Sequence, residues 1–219
     1  EAADEEVVSA MLLQAAPLVE SLVVETDFTL TTSDPARVID PTGALLVRHL
    51  YQNAVTYADG DLNRPVDGIC AFKRSDDLRS VTLTMRDRDA RFGDGSPVTA
   101  ADVAFTVQRT QGIQAAPAFL LDGLTVTQPT PDSVLVESPD PAPQLVDLLG
   151  HPSLGVVNKT RLLGMGGSTD PADAAEAFLN ASSQGSGPYL IETWDPGTQV
   201  VLRYNPVWNG QPPRFRRVV

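Results

Sequence analysis

Between residues 80 and 109 the chain changes its periodicity in a single step. Val81, Leu83 and Met85 alternate with Thr82, Thr84 and Arg86, a period of two that predicts a strand with one buried and one wet face. The stretch RFGDGSPVTAADVAFTVQR follows almost at once. Asp94-Gly95 marks a turn and Pro97 stiffens the exit from it. Thr99 stands where a helix N-cap belongs, and Asp102, three residues on, takes the place of the acidic partner in a capping box. Val98 and Val103 are spaced to close over the turn as a hydrophobic staple. The expected helix spans residues 100–109 and stops before Gly112. Turn formation and capping account for Asp94 and Asp102 without a catalytic pair. The stretch fixes the angle between a strand and a helix, and the fold has to be one that uses such an angle.

The same reading extends along the chain. Residues 1–23 place Val7, Val8, Met11, Leu12, Ala15, Leu18, Val19 and Leu22 at spacings of three and four behind an acidic start. This predicts an amphipathic helical extension, interrupted by Pro17. The acids in its first turn oppose docking on an anionic membrane. Residues 23–31 read as a strand, 43–54 as a helix with Leu45, Leu46, His49 and Leu50 on one stripe, and Asp34-Pro35 and Asp40-Pro41 as loop markers. A turn is expected at 58–61 and another at Asp76-Asp77. A hairpin is expected around Pro-Thr-Pro-Asp at 129–132, with Val134 and Val136 on one face. A short helix follows at 143–149, a short apolar strand at 154–157, a loop at 164–171 and a capped helix at 171–180. The C-terminal segment predicts strand, Asp-Pro-Gly turn, strand, loop, strand. There are no repeats and no strand–helix–strand rhythm, so the fold class is α+β or mixed α/β.

Composition removes several functions. The net charge is −12, which argues against a nucleic-acid partner and against electrostatic attachment to anionic lipid. Cys70 is the sole cysteine, so no intrachain disulfide forms, and a small buried thiol is the expected role. His49 and His151 are too far apart in sequence for a zinc spacing. Neither lies in a motif for nucleophilic catalysis. The Gly-Met-Gly-Gly at 164–167 lacks the Gly-Lys-Ser/Thr of a phosphate loop. No enzyme chemistry, metal or cofactor is indicated. The chain begins at Glu1 without a basic, apolar leader. That fits the processed form of an exported protein, as it fits an excised domain.

Two long segments resemble a known family. RFGDGSPVTAADVAFTVQR resembles the F-x-D-G-x-P-hydrophobic-T-A-x-D-V signature of the family 5 extracellular solute-binding proteins, the peptide- and nickel-type receptors of ABC importers. GSGPYLIETWDPGTQVVLRYNPVWNGQPP resembles their second hallmark, Gly-Thr-Gly-Pro-Tyr, a strand pair and Asn-Pro-x-Tyr-Trp. ARVIDPTGALLVRHLYQNAVTY and SDDLRSVTLTMRD resemble weaker family segments, in family order. The departures are Ser186 for the usual threonine, Val207-Trp208 for Tyr-Trp, and GICAFKR where the family has Leu-Ala-x-Ser-Trp.

The resemblance implies a type II periplasmic-binding-protein first lobe, with mixed sheets and short helices and the second lobe absent. Residues 24–219 would form this lobe, with subdomains at roughly 24–50 plus 150–219 and at 51–149, after the 1–23 extension. The implied function is the substrate-binding component of an ABC importer. It would sit outside the cytoplasm, tethered by a lipidated segment, binding a small solute, foremost a peptide, and docking on a membrane permease. In peptide-binding members the second lobe supplies the acid that pairs with the ligand's amino terminus. By the same resemblance the cleft is faced by residues 33–44, by the segment at Ala118-Phe119 and by residues 150–153. This singles out Thr42 and Gly43 for main-chain contacts, Phe119 for stacking, and His151 or Ser153 for a polar contact. Phe92, Asp94, Gly95, Thr99, Asp102, Gly185, Gly187, Pro188, Tyr189 and Trp208 carry the motifs as architecture. The surface left by a missing lobe would favour self-association. A second reading is a non-transport interaction or sensing protein that reuses the fold.

Overall fold

The computed structural model describes residues 19–25, 30–58 and 61–219. In chain order its strands are β1 Val19–Leu22, β2 Val55–Tyr57, β3 Pro65–Asp67, β4 Cys70–Arg74, β5 Ser80–Met85, β6 Thr125–Thr130, β7 Ser133–Glu137, β8 Tyr189–Asp195, β9 Gln199–Tyr204 and β10 Phe215–Val218. The α-helices are α1 Pro41–Leu50, α2 Ala100–Gly112, α3 Leu145–Leu149, α4 Lys159–Gly164 and α5 Glu176–Ala181. The strands form an antiparallel sheet in the order β4-β5-β7-β6, a two-stranded β2-β3 pair, and a sheet in the order β1-β10-β9-β8 whose β1-β10 pair is parallel.

The two four-stranded sheets each have their own core, and Val55 of the β2-β3 pair joins the first. In the first, Val81 faces Val136 and Leu83 faces Val134 across β5-β7, and all four are fully buried. Such apolar cross-strand pairs hold the register, because a one-residue slip would turn all of them to water. Val103, Ala104 and Val107 of α2 and Leu145, Val146 and Leu149 of α3 close over this sheet. In the second, Ile191 and Leu202 pack with Leu46, Val47 and Leu50 of α1, with Leu162 and with Leu179.

Helix α2 belongs to both cores. Val103 and Val107 enter the first while Phe105 enters the second. The helix buries Thr106, Arg109 and Thr110 as well. Those polar groups are all bonded: Thr106 Oγ1 accepts from the Val157 N–H at 3.1 Å, and Thr110 Oγ1 donates to the Thr106 carbonyl at 2.9 Å. At the end of the helix, a Cβ on Gly112 would lie 1.9 Å from the Thr169 carbonyl oxygen, so the helix meets the 168–170 loop at a distance only glycine allows.

The turn before α2 forms as expected. The Asp94 carboxylate accepts from the Ser96 N–H at 2.9 Å, and Gly95 takes φ +85°, where a side chain would be strained. Asp102 Oδ2 accepts from the Thr99 N–H at 2.9 Å and from its hydroxyl. Its other oxygen accepts from the Lys159 N–H at 2.9 Å, so one buried carboxylate ties the starts of α2 and α4 together. Val98 and Val103 are both buried over the turn.

Several expectations are corrected. The strand read at 23–31 is not one over its described residues 23–25 and 30–31; the strand is Val19–Leu22, within the stretch expected to be helical. A parallel partner in Phe215–Val218 fixes that strand, and spacing within one segment cannot reveal a partner so distant. Residues 1–18, the rest of the expected extension, lie outside the described residues. Residues 154–157 are buried but join no sheet; Val156 N–H donates singly to the Gln52 carbonyl. The helix expected at 171–180 is Glu176–Ala181, because Asp170 and Asp173 are used in the preceding loop, where the Ala172 N–H and Ser168 N–H donate to them. On α1 the buried stripe is Gly43, Leu46, Val47 and Leu50. Leu45 and His49 are exposed, and His49 Nδ1 pairs with the Leu45 carbonyl at 2.8 Å.

Candidate functional site

Helix α1 starts sharply because Asp40 caps it: the carboxylate accepts from the Gly43 N–H at 2.7 Å, and Pro41 opens the first turn. One face of the helix goes into the core. The other borders an open cleft of about 450 Å³. Leu45 and Arg48 of α1 line it, with Tyr57 and Leu62 from β2 and the turn after it, and His151 and Pro152 from the loop after α3.

The walls are held by specific bonds. Tyr57 donates its hydroxyl to the Asp147 carbonyl at 2.9 Å. Its ring lies against Gly150, where a Cβ would come within 3.0 Å. Asn53 donates to the His151 carbonyl at 2.7 Å. His151 Nδ1 accepts from the Ser153 N–H at 3.2 Å, so the ring proton of the neutral imidazole sits on Nε2. Burial, helped by Arg48 nearby, pushes the His151 pKa below its ordinary value. Burial and the Asp147 charge push Tyr57 up. Both groups are therefore neutral hydrogen-bonding groups near pH 7.

The segment before α1 carries part of a buried charge cluster. Arg109, 1% exposed, forms a two-point bond to Asp34 at 2.8 and 2.6 Å. It bonds Asp173 through Nε at 2.9 Å and a terminal nitrogen at 2.8 Å. Arg37 bridges the same two acids at 3.2 and 3.1 Å. Two cations and two anions cancel, which is the condition for burying such groups. Burial works to raise the Asp173 pKa, but hydrogen bonds from Arg109, the Ser168 N–H and Arg37 outweigh it and hold the pKa at about 2. The cluster joins three segments: the 34–37 turn leading to α1, the C-terminal end of α2, and the 168–175 loop. Asn180 adds a fourth hold, accepting from the Ser33 N–H at 2.7 Å. The segment that leads through Ile39 and Asp40 into α1 is thus anchored on its core side.

The expected contact residues fall in different places. His151 lines the cleft. Thr42 is half-buried in the first turn of α1. Gly43 is buried, its N–H given to Asp40, and a Cβ there would meet Asp40 and Val38 at 2.8 and 2.9 Å. Ser153 is fully buried and donates its hydroxyl to the Val38 carbonyl at 2.7 Å, so it braces the segment before α1 from the core side. Phe119 is 67% exposed, on a 3-10 turn outside the cleft lining. Arg48 and the Asp34–Arg37–Arg109–Asp173 cluster were not singled out by the sequence. The available signals were an arginine closing an apolar helical run and an aspartate taken only as the mark of a loop.

The motif residues act as architecture. A Cβ on Gly185 or Gly187 would lie 2.1 Å from the Leu50 carbonyl oxygen or 2.6 Å from its carbonyl carbon, so both glycines let β8 approach the end of α1. Pro188 lies half-buried between them and β8. Tyr189, buried, donates to the Phe215 carbonyl at 2.8 Å and ties β8 to β10. Trp208 donates its indole N–H to the Gln211 carbonyl at 3.0 Å and closes the loop before β10. Phe92 is buried in the first core. Burial pushes the Cys70 thiol up to about 12, as for an inert core residue.

Comparison with known proteins agrees with this architecture. The model of the bacterial extracellular solute-binding proteins, family 5 (middle), matches residues 65–219. The probable D,D-dipeptide-binding periplasmic protein DdpA of Escherichia coli K12 is 34% identical over 193 residues, covering 85% of this chain and 36% of its own length. The periplasmic oligopeptide-binding protein OppA of the same organism is 25% identical over 199 residues, covering 80% and 34%. Among solved structures, MoaA from A. tumefaciens R10, in complex with mannopinic acid, superposes with a TM-score of 0.78 at 20% identity over 93% of this chain and 40% of its own. The Escherichia coli murein tripeptide binding protein MppA gives 0.74 at 20% identity over 91% and 41%. The chain therefore spans a little over a third of the length of these two curated relatives. Its fold is the first part of a type II periplasmic binding protein. With the family model matched along most of its length, the chain belongs to the bacterial extracellular solute-binding proteins, family 5.

Proposed function

We propose that this chain forms the first lobe of an extracytoplasmic receptor that delivers a small solute, foremost a short peptide, to an ABC importer. The observation that carries the reading is the open cleft at α1, Tyr57 and His151, set on a segment pinned from the core side by the Asp34–Arg37–Arg109–Asp173 cluster. A binding protein needs a concave wall with an apolar floor and a few convergent polar groups. Leu45 and Leu62 supply exposed apolar surface there. Arg48, Tyr57 and His151 supply the polar groups. Family membership favours solute capture over catalysis. Two of the relatives carry dipeptide- and oligopeptide-binding names, which supports the peptide class. In a two-lobed receptor the solute would be enclosed by closure about a hinge.

The test is photo-crosslinking with a short peptide bearing a benzoylphenylalanine, mapped by mass spectrometry. Adducts are expected on the exposed side of α1, on Tyr57 or Leu62, and on the loop at His151. Adducts scattered over the surface, or gathered on the opposite side of the β4-β5-β7-β6 sheet, would overturn the assignment.

A further inference from the structure

We infer that the cleft selects solutes carrying an anionic group, a carboxylate held between the Arg48 guanidinium and the Nε2–H of His151. The inference rests on the solute-receptor reading and adds the chemistry of the ligand.

Arg48 lines the cleft beside His151 and, among the described residues, forms no ion pair. The arginines at 37, 88, 109, 161 and 217 lie within 4.0 Å of a carboxylate, and of those without such a pair among the described residues Arg48 is the one in the cleft lining. The neighbouring acids are differently engaged. Asp40 gives its carboxylate to the start of α1. Asp147 stands behind Tyr57, which bonds its main-chain carbonyl. The Arg48 charge is felt at both groups, Tyr57 and His151: it adds to the burial that pushes the His151 pKa down, and it partly offsets the burial that pushes Tyr57 up. Burial, helped by Arg48, keeps His151 neutral, with Nδ1 occupied by the Ser153 N–H and Nε2 as the donor. The cleft lining thus includes a guanidinium without an ion-pair partner among the described residues and a neutral ring N–H donor. Its apolar surface comes from Leu45, 53% exposed, and Leu62, 63% exposed, with Pro41 and Pro152.

A fork of parallel N–H donors matches a carboxylate in shape and charge. An ammonium group in the same place would face Arg48 and be repelled. The net charge of −12 does not favour anions at long range, so selection has to arise from these short contacts, which are less screened than the surface field. The ligand class is a small acid or acidic-ended peptide with an apolar body.

The experiment uses two probes of the same shape, N-acetyl-leucine and N-acetyl-leucinamide, titrated into the isotopically labelled chain and followed by the amides of residues 42–48 and the His151 ring signals. Wild type should bind the acid about fivefold or more tighter than the amide. R48M should abolish that ratio with the fold unchanged, and R48K should retain part of it. If acid and amide bind the cleft equally in wild type, or if R48M keeps the preference, the anion inference fails while a solute cleft stands. If neither probe, up to saturating concentration, moves the cleft signals, both the inference and the cleft assignment fail.

Discussion

Arg109 decides how the site can exist at all. A guanidinium 1% exposed is tolerable only because Asp34 and Asp173 each meet it with two oxygens and Arg37 balances the second negative charge. Removing the cation alone leaves two buried carboxylates facing one another beside a single arginine. R109M should therefore cost roughly 3–5 kcal/mol in urea unfolding at pH 7, far more than the lost packing of one side chain. The acid limb has a definite sign. The Asp173 pKa is depressed in the folded chain to about 2, from roughly 3.9 when unfolded. Its contribution is fully present above pH 4 and is lost as pH falls from about 4 to about 2. Wild type should lose stability over that window, and a flat profile there would contradict the role given to Asp173. None of this was legible in the sequence, where Asp34 marked a loop and Asp173 a helix start. A buried ion cluster is assembled from positions 34, 37, 109 and 173, and no local pattern reports such a meeting.

At the scale of the element, what the sequence made legible is what is locally encoded. The alternation at 80–86, the Asp94-Gly95 turn and the Thr99–Asp102 pairing all fall within a few residues, and all appear as read. Elements whose form depends on a distant partner were displaced. Val19–Leu22 is a strand because Phe215–Val218 lies beside it. Residues 154–157 join no sheet: Leu154 ends a 3-10 turn, and the Val156 and Val157 N–H groups go singly to the Gln52 carbonyl and the Thr106 hydroxyl. Asp102 shows how a local device gains a distant duty, since its second oxygen holds the start of α4. D102A removes both caps and should destabilise the chain by about 1–3 kcal/mol. D102N should recover part of this, because the amide oxygen can still accept one of the two backbone bonds. Equal losses for D102A and D102N, measured by urea midpoint, would show that the charge rather than the bonding geometry matters at this position.

On the scale of the whole molecule, two cores share one helix, and the cleft lies where α1 of the second core meets β2 and the loop after α3. His151, expected at the cleft from the family resemblance, is among the residues that line this one. Ser153 and Phe119 were placed in the same region, but the structure turns one into the core and leaves the other exposed away from the lining. Spacing along a loop does not say which way each side chain points. On the solute-receptor reading proposed above, this cleft is one wall of a two-walled solute site. One wall buries little of a ligand, and affinity falls accordingly. The direct measurement is titration of residues 1–219 with a pool of short peptides, read by backbone amide shifts. Binding should be weak, with dissociation constants on the order of millimolar, and shifts should be confined to residues 40–48, Tyr57 and 150–152. Micromolar or tighter binding by this chain alone, or shifts centred anywhere else, would contradict that reading.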